Sequence, residues 1–393
     1  MPTIHLEFGG STAARTNACP GWHALARTLP EAPSSDAANT GTALHDCMEG
    51  IVMGDREPES FIGTMVQGVE ITQALYDTKI EPAVVALEEL LDEHNIVEYT
   101  GEETVAVQSL DDVGGTADIV GLNATTVLLA DFKFGDGILV KAENNEQLMH
   151  YCMCLYDTPG WEQDLLNVDT IVLAIIQPVP SRADHPTVSQ WVIEPAQLVE
   201  WAQGYMQSVV RAAKAIADMP TLPAKELLKA GPHCKFCPAE PICPAKAGLF
   251  DKAQRLDPHI PAELAESLNL AGEMEQWIKS VRKLAHEQMD RGDRIPGWKL
   301  VAKRGSRQWR NEDAVESLVK RLRKVKAEEA FEHKLRSPTQ MEQLFLHKGL
   351  DTEQLADYIH TISSGTTIAP ADDKRPEAPA VAAHRALAGR TAT

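Results

Sequence analysis

Asp118, Asp131 and Lys133 are the residues whose types and spacing first suggest chemistry. They lie in GGTADIVGLNATTVLLADFKFG, residues 114–135, where two apolar runs flank a Gly-Leu-Asn-Ala-Thr turn. An unpaired charge in such a setting costs several kcal/mol, so something must compensate it. Side chains alternate along a strand, which puts Asp131 and Lys133 on one face and Phe132 and Phe134 on the other. The turn near residues 121–125 would fold the Asp118 strand back beside them, bringing two carboxylates and an ammonium to one side of a hairpin. Close carboxylates repel unless a proton or cation lies between them. Mg²⁺ or Mn²⁺, held by carboxylates and water, would resolve that conflict. Lys133, about 6–7 Å along the strand, would orient or polarise an attacking water, as in metal-assisted phosphodiester hydrolysis. The competing reading is a Lys–Asp ion pair at a sheet edge, with Asp118 simply close to a turn. The Asp-x-Lys spacing alone does not separate the two.

Neighbouring motifs extend the pattern. Gln147 and Tyr151 stand i, i+4 in QLMHY and share one face of a helix. His45, in GTALHD, lies on an upstream helix with an imidazole available as a ligand. The order His45, Asp118, Asp131-x-Lys133, Gln147-x-x-x-Tyr151 resembles the RecB-like branch of the PD-(D/E)XK nuclease superfamily. That resemblance implies His45, Asp118 and Asp131 as metal ligands, with the main-chain carbonyl of Phe132 as a further one. It implies Lys133 as the catalytic lysine, and Gln147 and Tyr151 as residues that position the substrate strand. The acid at 131 is Asp where the family more often has Glu, a shorter arm that bears on where the metal sits.

Of the seven cysteines, Cys234, Cys237 and Cys243 form C-x2-C-x5-C in GPHCKFCPAEPICPAKAG, where prolines disfavour helix. Three thiolates need a fourth ligand. The adjacent His233 would complete a zinc site, and Cys19 would instead give an all-cysteine site suited to zinc or iron–sulfur. A subset of RecB-like nucleases carries one cysteine before the core and three after it around a 4Fe–4S cluster. The layout of Cys19 and the triplet resembles that subset, which implies a cluster of mainly structural role. Within the group, the Cys-Pro-Gly and Gly-Thr-x-x-His patterns resemble a phage and prophage family. Cys47, Cys152 and Cys154, in apolar helix-like stretches, read as buried thiols.

These residues need elements to position them. Segments 37–53 and 64–94 read as amphipathic helices, the second interrupted near Pro82. Residues 95–110 turn to β-branched alternation, the carboxylate hairpin follows, and AENNEQLMHYCMCLYD reads as helix. VDTIVLAIIQP and QWVIEP read as strands, and AQLVEWAQGYMQSVVRAAKAIAD as a long helix. This order predicts an α/β class: a PD-(D/E)XK (restriction-endonuclease-like) core, its mixed central sheet flanked by helices. The nuclease domain is placed at 1–248, with cysteine ligands at both ends, and a mostly helical extension at 249–364. In that extension PAELAESLNLAGEMEQWIKSVRKLAHEQM reads as helix and GWKLVAKRGSRQW as a small hairpin. The Ala- and Pro-rich tail, 365–393, reads as disordered.

The formal charge of −20 argues against coating nucleic acid through the overall field. It is uneven, however. From Glu31 to Asp112 only Arg56 and Lys79 oppose the acids, whereas Lys303–Arg336 is basic. Arg304, Arg307, Arg310 and the following helix suit phosphate contacts, a solvated face or a partner surface equally. No apolar run approaches the roughly 20 residues of a membrane span, and the start lacks the apolar stretch of a secretory signal. A cytoplasmic location is therefore expected, and the resemblance to the phage and prophage family implies a bacterial host cell. The expectation is a Mg²⁺- or Mn²⁺-dependent nuclease acting on DNA ends or single strands in phage replication, recombination or repair. A single-strand annealing protein or helicase is the kind of partner it would have. The rivals are a catalytically silent DNA-binding or scaffold module, and a zinc protein whose cysteine–His233 site carries the function.

Overall fold

The computed structural model describes residues 6–30, 36–110, 112–179, 185–303, 305–322, 324–330, 335–362, 365–370 and 374–378. The chain divides into two compact units, Met1–Met274 and Glu275–Thr393.

In the first unit, β1 (Phe8–Gly9), α1 (Ala13–Ala18) and α2 (Trp22–Ala26) lead into α3 (Asp36–Val52). The expected helix 64–94 begins later than its periodicity suggests. Residues 65–70 form a hairpin, β2 (Met65–Val66) against β3 (Val69–Glu70). Gln67 and Gly68 both take positive φ, 48° and 77°, as a tight two-residue hairpin turn demands. Helix resumes as α4 (Gln73–Leu75), passes through a π-helical turn at Tyr76–Ile80, and continues as α5 (Glu81–Glu93). Pro82 therefore sits in the first turn of α5 instead of breaking the helix, since a missing N–H is tolerated there.

The sheet follows: β4 (Glu98–Ala106), β5 (Val113–Leu122), β6 (Thr126–Phe132), then α6 (Glu146–Leu155), β7 (Thr170–Ile176) and β8 (Val188–Ile193). It is a mixed sheet, with β6 parallel to β7, β1 parallel to β5, and the pairs β4–β5, β5–β6 and β7–β8 antiparallel. The long α7 (Pro195–Ala217) and then α8 (Pro244–Ala253) complete the unit, and α9 (Pro261–Asp290) contains the division between units. The expected mixed central sheet flanked by helices is thus present.

Residues 171–176 of β7 are all fully buried, as an interior strand covered on both faces should be, which explains their unbroken apolar run. One face of β6 and β7 (Val127, Leu129, Ile171, Leu173, Ile175) packs under α6 and α7; the other (Leu128, Ala130, Phe132, Val172, Ala174, Ile176) packs under α3 and α5. His150 on α6 is buried between the Tyr205 hydroxyl of α7, at 2.9 Å, and the Gly114 carbonyl of β5, at 3.1 Å. Burial lowers its pKa to about 4, so a neutral imidazole ties the helix to the sheet.

The sheet divides at β5. β4 runs along one edge of it from Gly114 to Leu122. The opposite edge is shared: β6 pairs only with Ile119–Leu122, and β1 only with Val113–Gly114. Between them, beyond the Ile119–Ala130 pair, β5 and β6 part and leave a fork. Asp118 and Asp131 are the next residues on its two prongs.

In the second unit, β9 (Trp298–Ala302) and β10 (Ser306–Trp309) were expected to pair as a hairpin. They do not: β9 pairs with β12 (Thr366–Pro370) and β10 with β11 (Ile359–Ile362). Around them lie α10 (Glu312–Arg321), α11 (Ala327–Ala330) and α12 (Pro338–His347), over a core that includes Trp309, Val315, Met341, Phe345 and Leu355. The extension is therefore mixed in character, and the segment read as a structureless tail supplies a strand through the β-branched run Thr366-Thr367-Ile368. Arg304 and residues 379–393 lie outside the described residues. Among the described residues no helix is long and apolar enough to cross a membrane.

Candidate active site

The fork explains why charged residues occupy a central strand. Where β5 and β6 part, the Phe132 N–H has lost its ladder partner, and the Asp118 Oδ2 accepts it at 2.8 Å. The carboxylate thus stands in for a strand carbonyl. Asp131, on the facing prong, is 2 % exposed. Its Oδ1 accepts a hydrogen bond from Gln147 Nε2 at 2.7 Å. Its Oδ2 is in contact with the Lys133 ammonium, yet has no hydrogen bond of good geometry. The Lys–Asp pair of the competing reading therefore exists, but at the end of an interior strand with β5 and β7 on either side, not at a sheet edge.

Two helices reach the fork. From α3, His45 Nδ1 lies 3.4 Å from Asp118 Oδ2, and the imidazole meets the Phe134 ring edge to face at 5.3 Å. From α6 come Gln147 and Tyr151, with Gln147 Nε2 3.5 Å from the Tyr151 hydroxyl. The Asn145 side chain caps this helix by accepting from the N–H groups of Gln147 and Leu148, which fixes Gln147 in the first turn. Tyr151 in turn rests on glycines. A Cβ at Gly10 would fall 2.5 Å from its ring, and one at Gly115 3.0 Å from it. Phe132 turns its ring to the other face, buried and stacked on Phe134 at 6.1 Å.

Electrostatics follow from burial among like charges. Burial pushes the Asp131 carboxyl above its ordinary range and the Asp118 charge adds to this, with the Lys133 ammonium opposing. Burial works against the Lys133 ammonium, but the carboxylates of Asp131 and Asp118 outweigh it and raise its pKa. His45 is raised too: burial disfavours its charge, and contact with Asp118 more than restores it. Burial keeps the Tyr151 phenol protonated well beyond neutral pH.

Sequence reasoning missed Glu102. The β4–β5 register runs through Gly101–Ile119 and Glu103–Ala117 but omits the position between, which sets Glu102 directly opposite Asp118. Its φ is +50°, a left-handed conformation that an ordinary side chain adopts at a cost of about 1–3 kcal/mol. Burial, then the charges of Asp118 and Glu49, push its carboxyl up to about 7. Glu49 stands one helical turn beyond His45, a spacing visible in the sequence; the backbone of Glu102 has no sequence signal. Gln177, buried at the end of β7, was also missed. Its amide donates to the carbonyls of Gly135 and Ile138 and accepts from the Val140 N–H, pinning the loop that follows Lys133. Lys79 adds a bond to the Pro178 carbonyl at 2.8 Å and an ion pair to Asp136.

The cysteines form a separate place in the same unit. Cys19, Cys234, Cys237 and Cys243 line one cavity of about 10 Å³, room for a single small species, together with Arg15, Trp22 and His233. Main-chain N–H groups approach two of the sulfurs, Lys229 to Cys19 and Gly231 to Cys234, both at 3.4 Å. His233 Nε2 is engaged by the Lys229 carbonyl at 2.7 Å. Burial pushes the Cys237 thiol up to about 12. Among the described residues no group of three or more His, Cys, Asp or Glu side chains stands ready-spaced around a metal position. At the fork the Lys133 ammonium draws on the charge a cation would share, and the cysteine cavity is drawn in.

Three solved structures share limited likeness with the chain. An alkaline exonuclease (LHK-Exo) from Laribacter hongkongensis matches at 12% identity and TM-score 0.27, over 54% of this chain and 91% of its own. Its complex with dAMP matches at 14% and 0.25, over 52% and 92%. SSO0001 matches at 15% and 0.22, over 57% and 95%. Likenesses this low carry no weight for fold or activity. The match to a family model is of another kind, because it takes in residues 5–376, the β1 strand, the fork, all four clustered cysteines and most of the second unit. The chain belongs to the family described as "Protein of unknown function (DUF2800)".

Proposed function

We propose that this chain is a Mg²⁺- or Mn²⁺-dependent DNA nuclease acting on ends or single strands. The observation that carries this reading is the convergence of His45, Asp118, Asp131, Lys133 and Gln147, from three separate segments, on the split between two strands. A merely structural ion pair needs neither the second carboxylate nor the imidazole. The donor set fits the ion. His45, Asp118, Asp131 and the Phe132 carbonyl offer the oxygen and imidazole ligands that such cations accept, and Asp131 Oδ2 is a buried acceptor with no well-aligned donor. When bound, the ion would polarise a phosphodiester and lower the pKa of a water.

The chain's own residues do the rest. Gln147 holds Asp131 by one oxygen and so fixes the direction of the other. Lys133, kept charged by the two carboxylates, would orient the attacking water and offset charge on the phosphate. Tyr151, protonated and seated on Gly10 and Gly115, would donate to a phosphate oxygen of the strand. The Lys229 and Gly231 N–H groups that reach the Cys19 and Cys234 sulfurs would donate to metal-bound sulfur in the cysteine cavity. The presence of Cys19 there, with His233 Nε2 already engaged, supports an all-cysteine centre. We assign it a structural 4Fe–4S cluster on the strength of the family resemblance; the four sulfurs would have to spread to hold one, and a single zinc ion is the other outcome. A role in phage replication, recombination or repair, beside an annealing protein or helicase, belongs to the same reading.

The test is incubation of anaerobically purified protein with end-labelled single- and double-stranded DNA, with Mn²⁺, Mg²⁺ or EDTA, beside Lys133→Ala. Metal-dependent degradation abolished in the variant is expected. DNA binding with equal inertness of both proteins on every substrate would favour the scaffold reading. Iron, sulfide and zinc analysis with absorption near 400 nm decides the cysteine centre.

A further inference from the structure

Phe236 sits where a side chain of its kind has no internal use. It lies between Cys234 and Cys237, and its φ is +66°, a conformation in which a bulky residue is a true outlier. Glycine would supply that backbone at least cost, and a phenylalanine there is strained. Arg15 holds the turn from beneath, donating Nε to the His233 carbonyl at 3.3 Å and a terminal nitrogen to the Phe236 carbonyl at 3.2 Å. The Phe236 ring is not buried in return: it is 72 % exposed. The Lys235 ammonium lies 5.5 Å from the ring centroid. A strained backbone therefore displays an aromatic face to solvent with no packing gain to offset it.

The surroundings indicate what it displays the ring to. On a chain of net charge −20, Lys225, Lys229 and Lys235 are all exposed in the segment before and within this turn, and Glu226 is the exposed acid that opposes them. An aromatic face beside the Lys235 ammonium, with exposed Lys225 and Lys229 a few positions away in sequence, fits a ligand with flat π-faces and an anionic backbone. Single-stranded nucleic acid has both, and base stacking on an aromatic side chain is tolerant of sequence.

We propose that Phe236 is a stacking platform for an unpaired base of single-stranded DNA, with Lys225, Lys229 and Lys235 as its phosphate contacts. The choice of DNA rests on the nuclease reading; the aromatic and basic tip stands apart from it. The experiment is fluorescence anisotropy of a labelled oligothymidylate with the full-length protein in EDTA, comparing wild type, Phe236→Gly and Phe236→Trp, each with a thermal melt. Phe236→Gly should raise Kd roughly ten-fold or more, and Phe236→Trp should retain affinity. The melting temperature of Phe236→Gly should not fall, because glycine relieves the positive φ. Equal affinity of wild type and Phe236→Gly, or no binding by wild type, overturns the proposal. Phe236-dependent binding without metal-dependent cleavage overturns the nuclease reading alone, and Lys133-dependent cleavage with binding indifferent to Phe236 overturns this one alone.

Discussion

Asp118 accepts the Phe132 N–H at the point where β5 and β6 part, so one carboxylate closes the end of a ladder and also faces the candidate metal position. These duties separate by substitution. Asp118→Asn keeps an acceptor for that N–H, whereas Asp118→Ala leaves it unsatisfied and should cost about 1–3 kcal/mol. The expected outcome is that both variants lose metal-dependent cleavage by about a hundred-fold or more, while only Asp118→Ala melts markedly earlier. Equal melting temperatures for the two would show that the bond to Phe132 contributes nothing to stability.

Glu102, opposite Asp118, gives a pH dependence with a definite sign. Its carboxyl is raised to about 7 in the fold, from an ordinary value near 4.5, by burial first and then by Asp118 and Glu49. The folded protein thus binds this proton more tightly than the unfolded chain does. Its ionisation destabilises the fold progressively as pH rises from about 4.5 through 7. In EDTA, Glu102→Gln should therefore melt above wild type at pH 8, and the gap should close as pH falls toward 5. A gap that widens on acidification contradicts the assignment.

Much of this arrangement was legible in the chain because local pattern and burial agreed. The continuous apolar run of β7, the i, i+4 pair Gln147 and Tyr151, and the helix carrying His45 each announce their element through periodicity alone. The fork does not. It depends on Phe8 and Gly9 pairing with Val113 and Gly114, a contact more than a hundred positions away in sequence that no local rule reaches. The β2–β3 hairpin escapes a periodicity argument because Gln67-Gly68 falls within a helical period, although Gly68 suits a tight turn. The pairing of β9 and β10 failed for another reason: proximity in sequence suggests a hairpin, but each strand found a longer-range partner in β12 and β11. Glu102 was invisible because its significance lies in a backbone angle.

Gly10 supports the site at second hand. The Tyr151 ring occupies the space a Cβ would take, so Gly10→Ala must move the ring, the 3₁₀ turn at Gly10–Thr12, or both. Overpacking of this kind costs about 1–3 kcal/mol. Because Tyr151 lies beside Gln147, the displacement should also reduce turnover. In a Tyr151→Ala background, itself destabilised by the cavity that change leaves, Gly10→Ala should cost little further stability, and activity should stay low. Full wild-type activity in Gly10→Ala alone would show that the position of Tyr151 is irrelevant to the reaction.

Cys19 joins the start of the chain to a segment more than two hundred residues later. Its Sγ accepts the Lys229 N–H, and α1 beside it holds the cysteine turn through Arg15. A metal bound by Cys19 and the triplet would close that long loop, so removing one ligand should both release the metal and loosen the N-terminal segment. Cys19→Ser should lose the bound metal and lower the melting temperature by several degrees, corresponding to about 1–3 kcal/mol. His233→Ala should keep the metal. Metal content and thermal melts of the two variants decide between ligand sets: metal retained in Cys19→Ser but lost in His233→Ala would establish a centre of three cysteines and one histidine, and would remove the basis for an iron–sulfur cluster with four thiolates.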